Sequence, residues 1–378
     1  MNSSVRIAVV GAYPNSVVGF RGDLIRALVE QSEQLTVMTA DCDAQLQSEI
    51  EELGVEFRSY PVLRNSMNPR ADLKTLGALK TAFREMRPNL ILAYTIKPII
   101  WGGIAARQLS NCKFHALITG LGYAFQGTSW KRRILNRLVA SLYKYSLSRA
   151  ESVTFQNPDN RDLFVERGIV PIEKCHVVAG SGVNTHDYET QPLPKGPPTF
   201  LLIARLLGEK GIREYAEAAR LVKKEYPEAR FQLVGPPDPS PDGIPIEEIN
   251  ALHSEGIIEY LGATADVRPF LAKCHVYVLP SYHEGMPRTV LEAMATGRPI
   301  LTTDVTGCRE TVVQDTNGWL VESKNSQALA ERLRWFLDNQ DRWEEFAAAS
   351  RRLVEDRFDV RIVNRQMMKI LGLEEIAK

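Results

Sequence analysis

An α/β chain of two domains, each a parallel sheet with crossover helices, is what this sequence predicts. Three observations lead there: strand-like apolar runs alternate with helical stretches along the chain, a proline-rich break splits them into two sets, and 378 residues exceed what one hydrophobic core usually organises.

The first set of runs is RIAVVG (Arg6–Gly11), LTVMTA (Leu35–Ala40), EFRSYP (Glu56–Pro61), LILAYT (Leu90–Thr95), HALIT (His115–Thr119) and SVTFQN (Ser152–Asn157). Each has strand length, and helical spacing fills the gaps between them. Then comes ETQPLPKGPPT, Glu189 to Thr199, with four Pro and a Gly in eleven residues, the composition of a linker. The second set follows: FLLIAR (Phe200–Arg205), FQLVG (Phe231–Gly235), VYVLP (Val276–Pro280) and PILTTD (Pro299–Asp304). We therefore expect two Rossmann-like domains, 1–190 and 200–360, joined by a linker at 191–199, with a last helix at 361–378.

Lys plus Arg (46) balance Asp plus Glu (46), which argues against a general nucleic-acid binder and moves attention to local charge clusters. Cysteines 42, 112, 175, 274 and 308 lie far apart with no C-x2-C pair, which disfavours a zinc site and a disulfide framework. MNSSVRIAVVGAYP lacks the apolar core of a secretory signal, and no apolar run reaches the length of a membrane span, so the expectation is a protein neither exported nor membrane-spanning.

LPSYHEGMPRTVLEAMATGRPILTTD, Leu279 to Asp304, carries the most chemistry. A buried strand ending at Pro280 delivers a loop to a helix that starts near Pro287. The first N–H groups of that helix, near Arg288, Thr289 and Val290, form a phosphate cradle. Glu284, ahead of the helix, can reach sugar hydroxyls. Glu292, about a turn and a half inside, can accept from both hydroxyls of a ribose. The plain alternative is a solvated loop acid and an ordinary helix glutamate.

EGMPRTVLE resembles the E-x7-E signature of the retaining GT-B glycosyltransferases of family 4, also called glycosyltransferase group 1. Upstream, FLLIARLLGEKGIREYAEAARLV is similar to that family's second donor element. The order of FQLVGPP, IEYLGATADV and VYVLPSYHEG follows the same plan, so the resemblance covers the whole C-terminal half. It implies a GT-B fold, with two Rossmann-like domains whose parallel sheets face across an interdomain cleft, and a last helix that crosses back to the first domain. It implies further that Arg205 and Lys210 bind a donor diphosphate, with Glu284 on the transferred sugar, Glu292 on the ribose, and the backbone around Gly285, Met286, Thr289 and Val290 on the remaining oxygens. Fixed cations can stabilise a departing nucleoside diphosphate without a metal, so no metal or other cofactor is expected. Loops near Gly235, Leu261 and Ala263 should set base and sugar selectivity.

The first-strand loop is not a dinucleotide fingerprint, because Gly11, Gly19 and Gly22 do not make G-x-G-x-x-G. Gly19 resembles instead the family loop that borders the donor diphosphate, a structural glycine being the alternative. For the acceptor, ILAYTIKPIIWGGIAAR and HALITGLGYAFQG follow strands and should sit at the carboxyl edge of the first sheet. Lys97 is placed for an acceptor phosphate, and Thr119, Gly120 and Gly122 for approach to a sugar. This pair resembles the branch of the family that extends lipid-linked sugars, such as the N-acetylgalactosaminyltransferases acting on undecaprenyl-diphosphate-linked bacillosamine. Thr119 stands where many members carry a His, so that imidazole's role does not transfer. His115 is read as structural. Asp41 to Asp43 (DCD) make a poor divalent site on their own.

From Thr128 to Ala150 there is no acidic residue, while Lys131, Arg132, Arg133, Arg137, Lys144 and Arg149 interleave with Trp130, Ile134, Leu138, Leu142 and Tyr145. Segment 128–150 reads as a basic amphipathic helix for an anionic membrane surface. The expected activity is transfer of a hexose or N-acetylhexosamine from a UDP-sugar to a polyprenyl-diphosphate-linked glycan in bacterial surface-glycan or glycoprotein-glycan assembly, at the cytoplasmic face of the inner membrane. The alternatives are a UDP-sugar epimerase or hydrolase on a similar scaffold, or a non-catalytic nucleotide-sugar-binding protein.

Overall fold

The computed structural model describes residues 5–63, 68–120 and 130–373, the side chains of 130–132 excepted. The chain folds into two compact units, one of Met1–Ser181 with Val360–Lys378 and one of Gly182–Asp359.

Unit 1 runs β1 (Arg6–Val10), α1 (Gly22–Val29), β2 (Gln34–Thr39), α2 (Ala44–Glu51), β3 (Glu56–Ser59), α3 (Pro69–Met86), β4 (Leu90–Tyr94), α4 (Ile96–Ala106), β5 (Lys113–Ile118), α5 (Trp130–Leu147), β6 (Ser152–Phe155), α6 (Pro158–Glu166) and β7 (Cys175–Val177). Its seven strands are all parallel in the order β3-β2-β1-β4-β5-β6-β7. Such sheets are covered on both faces, and every residue of β4 and β6 is buried.

Unit 2 runs β8 (Thr199–Ile203), α7 (Ile212–Val222), β9 (Arg230–Val234), α8 (Ile246–Ser254), β10 (Glu259–Tyr260), α9 (Arg268–Ala272), β11 (Val276–Leu279), α10 (Arg288–Ala295), β12 (Ile300–Thr303), β13 (Gly318–Val321), α11 (Ser326–Asp338) and α12 (Trp343–Arg357). Its six parallel strands are ordered β10-β9-β8-β11-β12-β13. Strand order reverses between β1 and β4 in one sheet and between β8 and β11 in the other. At such switch points the loops diverge and leave a crevice beyond the carboxyl ends.

The last helix, α13 (Val360–Leu371), belongs to unit 1. Its Val363, Met367, Met368 and Leu371 join a core with Ile7, Val9 and Val37 of the seven-stranded sheet.

The division between units falls at Ser181/Gly182, ahead of the proline-rich stretch that sequence marks as the linker. That stretch is pinned to unit 2. Arg298, fully buried, donates to Gln191 O and Pro192 O at 3.1 Å each and to Leu271 O at 2.9 Å. His275 donates from Nε2 to Pro194 O at 2.8 Å and accepts the Thr199 N–H at Nδ1 at 3.0 Å. Carbonyls bound in this way cannot serve a free spacer.

Candidate active site

β8 is buried along its whole length and is followed by Ala204 and Arg205. Leu206 and Leu207 lead into the tight turn Gly208–Lys210, and Gly211, at φ +71°, opens α7. A Cβ at Gly211 would sit 2.0 Å from Pro280 O, so only glycine lets this loop lie against the end of β11. Tyr282 N–H donates to Glu209 O at 2.8 Å, tying the two loops together across the switch point.

That contact sets Lys210 beside Glu284. Lys210 Nζ donates to Glu284 Oε1 at 2.6 Å, and Ser281 Oγ donates to the same oxygen at 2.8 Å. Burial by itself would pull the Lys210 ammonium down, but the Glu284 carboxylate outweighs it and holds the ammonium above its ordinary value. Arg205 is half-exposed and its Nη1 donates to Asp238 Oδ2 at 2.5 Å. The Arg205 charge acts against the Lys210 ammonium, so the two cations sense one another.

Glu284 N–H donates to Thr306 O at 3.0 Å, which fixes the loop entering α10. Gly285 and Met286 are half-buried there, and Pro287 caps the helix. Thr289 Oγ1 accepts the hydroxyl of buried Tyr277 at 2.7 Å. Val290 is in the core and its N–H donates to Pro287 O at 3.1 Å, so this one of the expected phosphate donors is committed to the turn.

Glu292 is 6% exposed. Arg288 Nε donates to its Oε1 at 2.9 Å, and the Tyr188 hydroxyl donates to the carboxylate as well. Burial holds the Glu292 carboxyl above the ordinary range, with Arg288 and Tyr188 pulling the other way. Burial and then the Glu292 charge raise the Tyr188 phenol. Tyr188 escaped the sequence reading because it lies just before the proline-rich stretch, far from α10 in sequence. Arg351 of α12 holds it in place, donating from Nη1 to Tyr188 O at 2.7 Å and Ala295 O at 2.6 Å.

Gly235, Leu261 and Ala263 lie on the same carboxyl edge, after β9 and β10. Gly235 N–H donates to Gly262 O at 2.8 Å, and a Cβ at Gly235 would meet Ala204 O at 1.8 Å. Leu261 and Ala263 are exposed. Within unit 2 the structure thus gathers Arg205, Lys210, Glu284, Glu292 and these loops at one edge of one sheet.

The unit 1 residues stand differently. Gly19 is exposed in the π-helical turn Val17–Arg21, without a positive φ and with open space where a Cβ would go, so neither backbone nor packing requires glycine there. Lys97 Nζ is bound to Asp72 Oδ1 of α3 at 2.7 Å, both side chains being largely buried. Its charge is therefore already matched. Thr119 and Gly120, half-buried, follow β5, while Gly122 lies outside the described residues. His115 is buried with Nδ1 2.7 Å from Ser152 Oγ, and burial with Lys113 and His176 pushes it down to about 4. It is neutral at ordinary pH, a structural histidine. Asp43 is the N-cap of α2, accepting the Leu46 N–H at 2.8 Å. Among the described residues no cluster of three or more His, Cys, Asp or Glu could hold a metal ion, and no helix is long and apolar enough to cross a membrane.

Of the basic segment, 128–129 and the side chains of Trp130, Lys131 and Arg132 lie outside the described residues. Along the rest of α5, Ile134, Leu138 and Tyr145 are exposed, together with Arg133, Arg137 and Lys144. Leu142, expected in the same stripe, packs instead into the unit 1 core with Val139.

Residues 184–353 match the family of glycosyl transferases group 1, and residues 20–180 the glycosyl transferase 4-like domain. The chain is 29% identical over 349 residues, 89% of its length and 90% of the relative's, to the N,N'-diacetylbacillosaminyl-diphospho-undecaprenol alpha-1,3-N-acetylgalactosaminyltransferase of Campylobacter jejuni. It is 24% identical over 280 residues, covering 69% of this chain and 70% of the other, to the UDP-Gal:alpha-D-GlcNAc-diphosphoundecaprenol alpha-1,3-galactosyltransferase of Escherichia coli. Among solved structures, Anabaena HepE in complex with UDP-glucose superposes at a TM-score of 0.80 with 19% identity, covering 97% of this chain and 99% of that one, which speaks to fold alone. The two matched domains and the two parallel sheets make this chain a GT-B glycosyltransferase of group 1.

Proposed function

We propose that the enzyme transfers a hexose or N-acetylhexosamine, with retention and without a metal, from a UDP-sugar to a sugar carried on undecaprenyl diphosphate, in assembly of a bacterial surface glycan or protein-linked glycan. The observation that carries the donor half is the Lys210–Glu284 pair at the β8/β11 switch point, with buried Glu292 on the helix that follows. The acceptor half is supported by the two relatives, whose names both give one sugar on diphospho-undecaprenol as acceptor.

In this reading Glu292 accepts the ribose hydroxyls, Glu284 orients the transferred sugar, and Arg205 and Lys210 lie on the diphosphate. Gly285, Met286 and Thr289 line the approach to the phosphate oxygens, and Gly235, Leu261 and Ala263 set base and sugar choice. As the bond between the anomeric carbon and the phosphate oxygen breaks, negative charge gathers on UDP, and a preorganised cation pair meets it. The acceptor hydroxyl attacks from the face the phosphate leaves, its proton passes to the departing phosphate, and the new glycosidic bond keeps the configuration of the old one. Thr119 and Gly120 contribute to the acceptor side, and Lys97 does so through its pair with Asp72. The exposed Arg133, Arg137, Lys144, Ile134, Leu138 and Tyr145 of α5 rest on the anionic cytoplasmic leaflet that presents the acceptor.

The test is transfer from radiolabelled UDP-sugars to detergent-solubilised undecaprenyl-diphosphate-linked sugars, with and without EDTA. Label in the lipid fraction with EDTA present supports the reading. A UDP-sugar that is epimerised or hydrolysed with no lipid labelled overturns it.

A further inference from the structure

The carboxyl ends of β1 and β2 frame a cavity of about 400 Å3 within unit 1. One wall is the loop after β1, with Tyr13 and Asn15; the facing wall is the loop after β2, with Asp41 and Asp43; Val62 and Leu63, past β3, close the third side. The walls are braced before any ligand arrives. Ser16 N–H donates to Tyr13 O at 3.1 Å, Asp43 Oδ1 accepts the Leu46 N–H at 2.8 Å, Tyr60 OH donates to Gly11 O at 2.7 Å, and Gly11 N–H donates to Met38 O at 2.8 Å. The volume falls at the lower end of the range for small-molecule sites, roughly 300–1,000 Å3.

The chemistry of the walls selects the ligand. The described lining carries two carboxylates and no Lys or Arg, which disfavours a phosphate or any other anion. Asp41 and Asp43 are both exposed, but Asp43 spends an oxygen on the α2 cap, which makes Asp41 the carboxylate more open to a ligand. Tyr13 is 44% exposed and Leu63 55% exposed, two large apolar surfaces left facing water beside that carboxylate. An uncharged saccharide satisfies both demands: its hydroxyls donate to carboxylate oxygens, and the C–H face of its ring covers an aromatic side chain.

We propose that this cavity is the subsite for the acceptor's sugar, with Asp41 accepting its hydroxyls and Tyr13 covering its ring face. The assignment rests on the lipid-linked acceptor reading above. It separates recognition of the saccharide from recognition of its diphosphate, which finds no counter-charge among the described residues that line this cavity.

The experiment compares wild type with Asp41→Asn and Tyr13→Ala, using undecaprenyl diphosphate bearing N-acetylglucosamine or N,N'-diacetylbacillosamine as acceptors. Melting curves check that both variants fold, and UDP titration checks the donor site. Loss of a hydrogen bond to a charged group predicts an acceptor KM higher by on the order of 10-fold, with UDP affinity unchanged. Free undecaprenyl diphosphate should inhibit wild type and variants equally. Unchanged KM in both variants, with transfer persisting, overturns the subsite alone. Loss of inhibition by the sugar-free lipid in the variants also overturns it, because the cavity then holds phosphate or lipid. A wild type that binds UDP and transfers to neither lipid-linked sugar overturns the acceptor reading and the subsite with it.

Discussion

Lys210 Nζ lies 2.6 Å from Glu284 Oε1, so the cation proposed for the donor diphosphate and the carboxylate proposed for the donor sugar hold each other. Both side chains are largely out of water, at 14% and 15% exposure. The pair keeps a buried charge matched.

Removing one member leaves the other as an uncompensated charge, which costs about 3 kcal/mol or more at buried pairs. Lys210→Ala and Glu284→Ala should each lower the unfolding free energy on that scale, and the double variant should lose less than the sum. Urea titration of the three proteins measures this coupling. Additive losses would mean that the contact contributes nothing beyond its separate side chains. In the transfer assay Lys210→Ala should lower kcat by roughly 10²–10³, the loss found when one charge-stabilising donor is removed.

Glu292 makes the opposite bargain. Its carboxyl is held above the ordinary range chiefly by burial, so the folded protein binds that proton more tightly than the unfolded chain does. Stability from this group is therefore fullest below the ordinary glutamate range and declines as pH rises through the raised value. Glu292→Gln removes the charge. Relative to wild type, its melting temperature should improve as pH rises from the acid side to neutrality, while UDP affinity falls by about 10-fold or more from the lost acceptor. A melting difference that is flat with pH would show that Glu292 carries no such cost.

Much of this unit was legible because its chemistry sits in consecutive residues. Lys210 and Gly211 follow a buried strand, and Glu284 and Glu292 flank a helix start, so local pattern places each of them. What was illegible depends on contacts between distant segments. Lys97 is visible as a cation at a strand end, but Asp72, which neutralises it, belongs to the preceding helix in the chain. Four prolines read as a spacer, whereas Arg298, an isolated cation in an apolar stretch, fastens that spacer to the core. β7 and β10 were missed because two or three residues are too few to show a strand pattern, and β13, which opens on Gly318, was missed as well. The charge of α5 is plain in the sequence, but which apolar residues face out is decided by packing, and that moved Leu142 inward.

Tyr188 supplies a sharper test of the donor site than either glutamate. Its hydroxyl donates to the Glu292 carboxylate and favours the charged form. In Tyr188→Phe the ring stays and that donor goes, so the Glu292 carboxyl should rise further. The acid limb of UDP binding should then move to higher pH, with affinity near neutrality lower by about 5-fold, the worth of roughly 1 kcal/mol. Isothermal titration of UDP across pH reads both effects. A uniform loss at every pH would mark Tyr188 as packing only.

On α5, Arg133, Arg137 and Lys144 share an exposed surface with Ile134, Leu138 and Tyr145, and a surface of one charge sign with apolar side chains between suits an anionic bilayer. Each basic residue near such a bilayer contributes on the order of 1 kcal/mol. Replacing all three with Gln should therefore weaken binding to phosphatidylglycerol vesicles by roughly 10²-fold. Wild-type binding should fall as salt rises through the range where the Debye length shortens. Leu138→Asp tests the apolar half separately: it should cut binding at high salt, where charge attraction is screened. Co-sedimentation with phosphatidylglycerol and with phosphatidylcholine vesicles distinguishes these terms. Equal binding to both lipids by the wild type would remove the electrostatic argument for α5.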